Sequence, residues 1–381
     1  MRWISGLIFF AVLLSVLGGV HFYLWKRLII ATGLSPALTR LLSVGLWGAM
    51  VLVLVSFPLL RVLPLKFQTP LFAVAFTWLG VMFLMFLILL LRDAGLLTTL
   101  AFDKGLRVDQ GRRLFFSRLS ALGVGAFTLG LTGYSVREAL KALHVKTLAI
   151  PVRGLPAALE GFRIVQVTDI HVGPTIGKDF IVSMVGLVNS LRPDLVAITG
   201  DLVDGSVENL ASDVAPLAGI QSRHGVFFVP GNHEYYSGLE PWLAHLPSLG
   251  IQVMRNRYVT VGEGEAAFHL AGLDDETGTP DMAAAVAGRD PRLPLIVLAH
   301  QPRTIRQVAP HGAVLQLSGH THAGQIWPFT YLVHLQQPFV SGLHKQENTY
   351  VYVSPGTGYW GPPMRLGTQA EVTLVTLTRA S

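Results

Sequence analysis

Three stretches in the first third of the chain are apolar with no period: Trp3–Trp25, Leu42–Val62 and Leu71–Leu91. Each is long enough to cross a hydrocarbon core as a helix, which takes about 20 residues. The third, LFAVAFTWLGVMFLMFLILLL, carries no charge. A fourth segment, Leu119–Val136, is shorter, glycine-rich and only moderately apolar, so three to four spans are expected. Trp3–Trp25 reads as an anchor rather than a cleaved leader, because it has no convincing small-residue cleavage site and further spans follow it.

From Gly161 the pattern changes to short apolar runs bounded by turn residues. Candidate strands are Arg163–Thr168, Leu195–Thr199, Gly225–Val229, Leu295–Ala299, Ala313–Leu317, Thr349–Val353 and Glu371–Leu377. Helical spacing appears between several of them, at Phe180–Leu191 and Leu239–Leu246. The alternation predicts an α/β fold, and so many short strands suit two packed sheets with outer helices. Pro151, Gly154 and Pro156 mark the stretch before it as a boundary. The expected organisation is a membrane anchor at 1–145, a linker at 146–160 and a globular domain at 161–381.

Charge sharpens this division. Residues 1–150 hold 15 Lys/Arg against 4 Asp/Glu, whereas residues 151–381 hold 14 against 19, so the net charge of +6 belongs to the membrane half. An acidic globular half argues against nucleic-acid binding, which needs a basic face. The loops joining spans one to two and three to four hold nine basic residues: Lys26, Arg27, Arg40, Arg92, Lys104, Arg107, Arg112, Arg113 and Arg118. The other side offers Arg2, Arg61 and Lys66. The positive-inside rule then places the larger set in the cytoplasm and the globular domain outside. The basic run Arg137–Lys146 on the exported side counts somewhat against this. Arg112-Arg113 resembles a twin-arginine export signal set inside the chain; equally, the pair can be ordinary anchors of a fourth span. With no cysteine, the chain has no disulfides, thiolate metal sites or cysteine nucleophile.

The candidate chemistry shares one address. Asp169 and His171 follow the first predicted strand and Asp201 and Asp204 the second. Asn232 and His233 follow the third, His300 the fourth, and His320 and His322 the fifth. Ligands in α/β sheets bind beyond the carboxyl ends of strands. Alone, Asp-x-His or Gly-Asp is an ordinary turn, and the two histidines of Gly319-His320-Thr321-His322 are only more suggestive. Together they form a set of oxygen and imidazole ligands without thiolates, which suits Mn, Fe or Zn. Two such ions ~3.5–4 Å apart clamp the attacking and leaving oxygens of an in-line displacement and activate a bridging water as hydroxide. Asp201, at the mouth of a buried strand, is the natural bridge.

The ordered motifs DIH, GDLVD, GNHE, a lone histidine and GHTH resemble the calcineurin-like metallophosphoesterase family over roughly Gly161–Leu377. The wording VPGNHEYY, SGHTHAGQIWP and VSPGTGYWGPPMRLG is similar to its membrane-associated bacterial branch. The resemblance implies a double-sheet β-sandwich flanked by helices. It also implies one ion on Asp169, His171, Asp201 and His322, and a second on Asp201, Asn232, His300 and His320. His233 would protonate the leaving alkoxide, oriented by Asp204, and Glu234 would hold the turn. Gly205-Ser206 and Tyr235-Tyr236 stand where the serine/threonine phosphoprotein phosphatases have Arg-Gly and Cys-Arg, which disfavours that activity. His224, His245, His269, His311, His334 and His344 lack motif partners and read as surface or core residues. Arg365 fits either a substrate phosphate or a structural role.

The expected activity is hydrolysis of phosphodiesters or phosphomonoesters, on a cell-envelope or lipid-linked substrate. A nucleotide-sugar-lipid pyrophosphohydrolase and a non-catalytic metal-binding envelope module are the alternatives. The apolar segment Ile326–His344 behind the last motif is either a lipid-facing loop or plain core.

Overall fold

Leu195–Ile198 is buried at all four positions, so this strand has no solvent face and must be covered on both sides. In the computed structural model, which describes every residue except 1, 60–62, 64, 103–108, 265 and 381, it is covered in that way. The chain divides into two units, residues 1–137 with 362–364, and residues 138–361 with 365–381.

The first unit contains four long helices, α1 (Arg2–Leu24), α2 (Pro36–Leu59), α3 (Leu65–Phe102) and α4 (Gln110–Ala139). All four expected segments are therefore helical, and each helix is long and apolar enough to cross a membrane. The tail of the second segment at residues 60–62 lies outside the described residues, as do Arg61, Lys104 and Arg107. One end of the helices gathers charge. Arg27 and Arg92 both pair with Asp93, at 2.7 and 2.5 Å, and Tyr23 donates to the same carboxylate. Arg118 donates to the carbonyls of Thr32 and Gly33. Basic residues from both larger loop sets thus meet at one end. Deeper in the unit, the fully buried His21 accepts from the Trp78 indole N–H at 3.1 Å. Indole nitrogen only donates, so the His21 proton sits on Nδ1 and goes to the Leu17 carbonyl. A neutral, fully bonded imidazole therefore ties α1 to α3.

The second unit is two six-stranded sheets. The first holds β1 (His144–Val152), β2 (Arg163–Val167), β3 (Leu195–Ile198), β4 (Val226–Phe228) and β5 (Ile251–Val253). The second is β6 (Arg257–Glu263), β7 (Ala266–Gly272), β8 (Leu295–Leu298), β9 (Leu315–Ser318), β10 (Gly342–Gln346) and β11 (Thr349–Val353). The last strand, β12 (Glu371–Arg379), returns to the first sheet, giving the orders β1-β12-β2-β3-β4-β5 and β10-β11-β9-β8-β7-β6. Strands β2 to β5 run parallel, as do β7, β8, β9 and β11. Helices α5 (Lys178–Ser190), α6 (Val207–Val214), α7 (Asn232–Ser237) and α8 (Leu239–His245) follow strands of the first sheet. The short α9 (Met282–Ala285), α10 (Ile305–Val308) and α11 (Thr330–Val333) belong to the second half.

Residues 146–160, expected as a linker, contain most of β1. The reason lies in the far end of the chain. β12 would otherwise present an unpaired edge, and β1 pairs along it from His144↔Glu371 to Val152↔Arg379. Ile150 and Val152 are buried by this docking, and Pro151 is tolerated because β1 is the outermost strand. The pattern also passed over β5, β6, β7 and β10. β7 reads AAFHLAG, whose alanines and histidine hide a nearly fully buried strand.

Alternate side chains of both sheets meet in one core. Ile164, Leu195, Ala197 and Phe227 from the first sheet pack with Phe268, Leu270, Leu298 and Leu317 from the second. A separate cluster, including Val297, Val353, Met282 and Ile305, packs the second sheet against α9 and α10. Phe268 is fully buried and stands edge-on to Phe162, with ring centroids 5.2 Å apart. Phe268→Ala is expected to destabilise the folded domain by ~3–5 kcal/mol, read from equilibrium denaturation; a change below about 1 kcal/mol would refute this account of the core.

Candidate metal centre

The parallel strands β2, β3 and β4 end side by side, and so do β8 and β9 in the facing sheet. The residues just beyond those ends are the ones picked out by motif. Asp169, His171, Asp201, His320 and His322 all adopt left-handed backbone conformations, with φ between 48° and 70°. Such turns are unfavourable for residues with a Cβ, and they persist where surrounding bonds over-determine them. Here the strand ends are laced together. Asp169 N–H donates to Gly200 O, His171 N–H to Asp201 O, and Gly319 N–H to His300 O. Both carboxylate oxygens of Asp169 accept the His320 N–H, joining the two sheets. Gly200 has φ of 88°, and a Cβ there would lie 2.6 Å from His300 Nδ1. A Cβ on Gly231 would collide with Asp201 Oδ1. The glycines of GD and GNHE are therefore steric requirements of the site.

Two ligand groups result, and each draws on both sheets. Asp169, His171 and His322 bring one donor atom each within 4.8 Å of one another, and so do Asp201, His300 and His320. His171 Nε2 faces His322 Nε2 at 3.0 Å, and His322 Nε2 lies 3.5 Å from Asp169 Oδ1. In the second group His300 Nε2 is 3.1 Å from Asp201 Oδ2 and 3.2 Å from His320 Nδ1. Asp201 Oδ2 also lies 3.9 Å from His171 Nε2, so this carboxylate borders both groups. His171, Asp201 and His233 form a third grouping of the same size between them.

The donors fit divalent cations. His300 Nδ1–H donates to the Thr199 carbonyl and His171 Nδ1–H to Asp204, which turns the Nε2 of each into the site. Asn232 Oδ1 and His322 Nδ1 are buried without a hydrogen-bond partner. Buried polar atoms are normally bonded, so the orphaned Asn232 Oδ1 fits a further ligand, whereas His322 Nδ1 lies against Gly356, on the far side of the ring from the Nε2 that joins its ligand group. Burial and the nearby His300 push His320 down to about 4, and burial with His171 holds His322 well below the usual range. Both are therefore neutral imidazoles, the form in which a histidine is able to coordinate a metal.

Asp204 and Glu234 organise the rest. Burial opposes ionisation of Asp204, but His171 and His233 outweigh it and hold it below the normal carboxylate range. One oxygen, Oδ1, accepts from His171 at 3.2 Å and from His233 at 2.5 Å. The sequence suggested only the second of these bonds. Burial would neutralise the His233 ring, but Asp201, Asp204 and Glu234 push it up to about 9. Glu234, fully buried, accepts the backbone N–H groups of Asp201, Leu202, Val203 and Gly231. It takes no place in the ligand groups. Two exposed rings stand edge-on to His233, Tyr236 at 5.4 Å and Trp360 at 5.5 Å between centroids. Gln325 fixes Trp360 by bonding both its N–H and its carbonyl.

Arg365 has the structural role. It is fully buried and donates to the carbonyls of Pro355, Gly356 and Gly358, shaping the loop whose Gly356 passes against Asp169 and His322. Neither that clamp nor the Trp360 lock was readable from spacing: their residues lie in the stretches SGHTHAGQIWP and VSPGTGYWGPPMRLG, but nothing in the wording says which of them bond. His269, His311 and His344 bond to local partners outside the ligand groups.

Comparison with known proteins agrees with this geometry. Residues 162–324 match the family model "Calcineurin-like phosphoesterase". A Bos taurus protein named "Transmembrane protein with metallophosphoesterase domain" is 40% identical over 330 residues, covering 81% of this chain and 74% of its own. An "Uncharacterized metallophosphoesterase" of Helicobacter pylori is 41% identical over 262 residues, covering 66% of this chain and 69% of its own. The Danio rerio counterpart of the bovine protein is 40% identical over 268 residues, and the match covers 66% of this chain and 61% of the length of that protein. Buried Asp and His ligand groups at converging strand ends, together with these relatives, lead to one conclusion: the chain belongs to the calcineurin-like phosphoesterase family and is a metal-dependent phosphoester hydrolase.

Proposed function

We propose that the chain is a membrane-anchored phosphoesterase that uses two divalent ions and acts outside the cytoplasm on a lipid-linked or cell-envelope phosphate ester. The observation that carries the two-ion reading is Asp201, whose carboxylate borders both ligand groups. Asp169, His171, Asp201 and His322 would hold one ion, and Asp201, Asn232, His300 and His320 the other. When bound, such a pair supplies Lewis-acid polarisation of the phosphate and an activated water near neutral pH. Mn, Fe and Zn all suit the donors.

The remaining chemistry falls to His233. Asp204 accepts its Nδ1–H, which fixes the ring and leaves Nε2 to present a proton. As the P–O bond breaks, that proton passes to the leaving oxygen, a contribution of ~10²–10⁴-fold for a general acid. Tyr236 and Trp360 both stand beside His233, and their exposed rings favour an apolar or flat leaving group. This rim and the four apolar helices support the lipid-linked substrate. Arg27 and Arg92 both pair with Asp93, and Arg118 donates to the carbonyls of Thr32 and Gly33, which supports a common side for both basic loop sets and hence the outward domain.

Three outcomes follow. Asp201→Asn should lose phosphodiesterase activity by roughly 10³-fold or more and retain less metal on elemental analysis; full activity with full metal content would end the two-ion reading. His233→Ala should lose ~10²–10⁴-fold on an alkyl ester but far less on a p-nitrophenyl ester, whose leaving group needs no proton; equal losses on both would remove His233 as the acid. A reporter fused after Ser381 should be active only outside the cytoplasm. Cytoplasmic activity would reverse the topology and favour a nucleotide-sugar-lipid pyrophosphohydrolase.

A further inference from the structure

Apolar residues behind the last ligand are not core. Trp327, Phe329, Tyr331, Leu332 and Leu335 are 53, 46, 66, 52 and 80% exposed. They make up five of the ten large exposed hydrophobic side chains among the described residues of the second unit, within nine positions of the chain. A scatter of single exposed hydrophobics needs no explanation, whereas a cluster marks an interaction surface. The cluster is carried on a built scaffold. Trp327 N–H donates to Leu366 O, and Ile326 bridges Leu366. Thr330 Oγ1 donates to Ala323 O, one residue beyond the ligand His322, and α11 follows directly.

We infer that this Trp327–Leu335 segment is a lipid-bilayer docking surface. Its composition is that of an interfacial anchor, with Trp and Tyr beside Phe and Leu. No Asp or Glu occurs between Asp290 and Glu347, so nothing on the segment repels lipid phosphates. The same chain carries four helices able to cross a membrane, so bilayer is the apolar phase that this surface meets at high effective concentration. Trp360, fixed by Gln325 three residues after His322, adds a further exposed ring at the edge of His233. The docked segment therefore places the acid beside the headgroup layer. The inference rests on the membrane reading and is independent of which ester is cleaved.

The absence of cysteine makes a direct test available. Single cysteines are introduced in the full chain at Leu335→Cys, Tyr331→Cys and, as an exposed control on the turn before β5, Ser248→Cys. Each is labelled with an environment-sensitive fluorophore and reconstituted into phosphatidylethanolamine–phosphatidylglycerol vesicles containing spin-labelled lipid. Labels at 331 and 335 should be quenched by the lipid at least roughly twofold more than the label at 248, and should shift to the blue on leaving detergent. Two positions guard against one variant misfolding, and far-UV circular dichroism identifies such a variant. Water-like emission at both positions would overturn the inference. So would shielding that is insensitive to spin-labelled lipid, which would mean that protein, such as a second copy of the chain, covers the segment.

Discussion

One carboxylate determines whether the centre exists. Glu234 lies fully buried where three successive backbone N–H groups, at Asp201, Leu202 and Val203, turn inward together with the N–H of Gly231. A buried donor without an acceptor costs about 1–3 kcal/mol, so these groups would not point inward unless a strong acceptor were waiting. With Glu234 in place, the loop after β3 can take the left-handed turn that aims Asp201 at both ligand groups. The same carboxylate pins the start of α7, which carries Asn232 and His233. Burial and the nearby Asp201 charge push Glu234 up to about 7, which shows how costly the arrangement is. Four charge-assisted bonds are the compensation.

From that point outward the centre is a product of sheet geometry. Parallel strands deliver their carboxyl ends to one edge, and two such sheets packed face to face bring two rows of ends together. Asp169, Asp201 and Asn232 come from one row; His300, His320 and His322 come from the other. Hydrophobic packing between the sheets, around Phe268 and its neighbours, sets how far apart the rows stand. A core otherwise explicable by burial alone is thus also the spacer of the ligand groups.

Most of the centre was legible in the sequence because its residues sit at strand ends beside glycines, and strand ends are visible as the end of an apolar run. Seven strands were read within a few residues for the same reason, whereas the apolar cores of the helices were read and their ends were not: Leu71–Leu91 lies inside Leu65–Phe102 and Leu119–Val136 inside Gln110–Ala139. What was missed had no local signal. β1 looked like a linker because Pro151, Gly154 and Pro156 punctuate it, and only the distant β12 gives it a partner. β7 was hidden by small residues that pack closely without looking hydrophobic. Arg365 suits a substrate phosphate or a structural ion pair equally well by residue type, and only the fold shows that it bonds three carbonyls of a tight loop. The second bond of Asp204, to His171, joins two motifs that spacing treats as separate.

Neither sheet alone can build the Asp169–His171–His322 group or the Asp201–His300–His320 group, since each of these takes members from both. The two halves of the domain, residues 163–253 and 257–353, are therefore incomplete for these two groups, although the first holds four strands of its sheet and the second all six of its own. Completion of either group during synthesis must wait until the second half has emerged and docked. A nascent first half, with Asp169, His171 and Asp201 already made, still lacks His300, His320 and His322. The order in which the chain is written thus delays completion of these two groups until both sheets are in place.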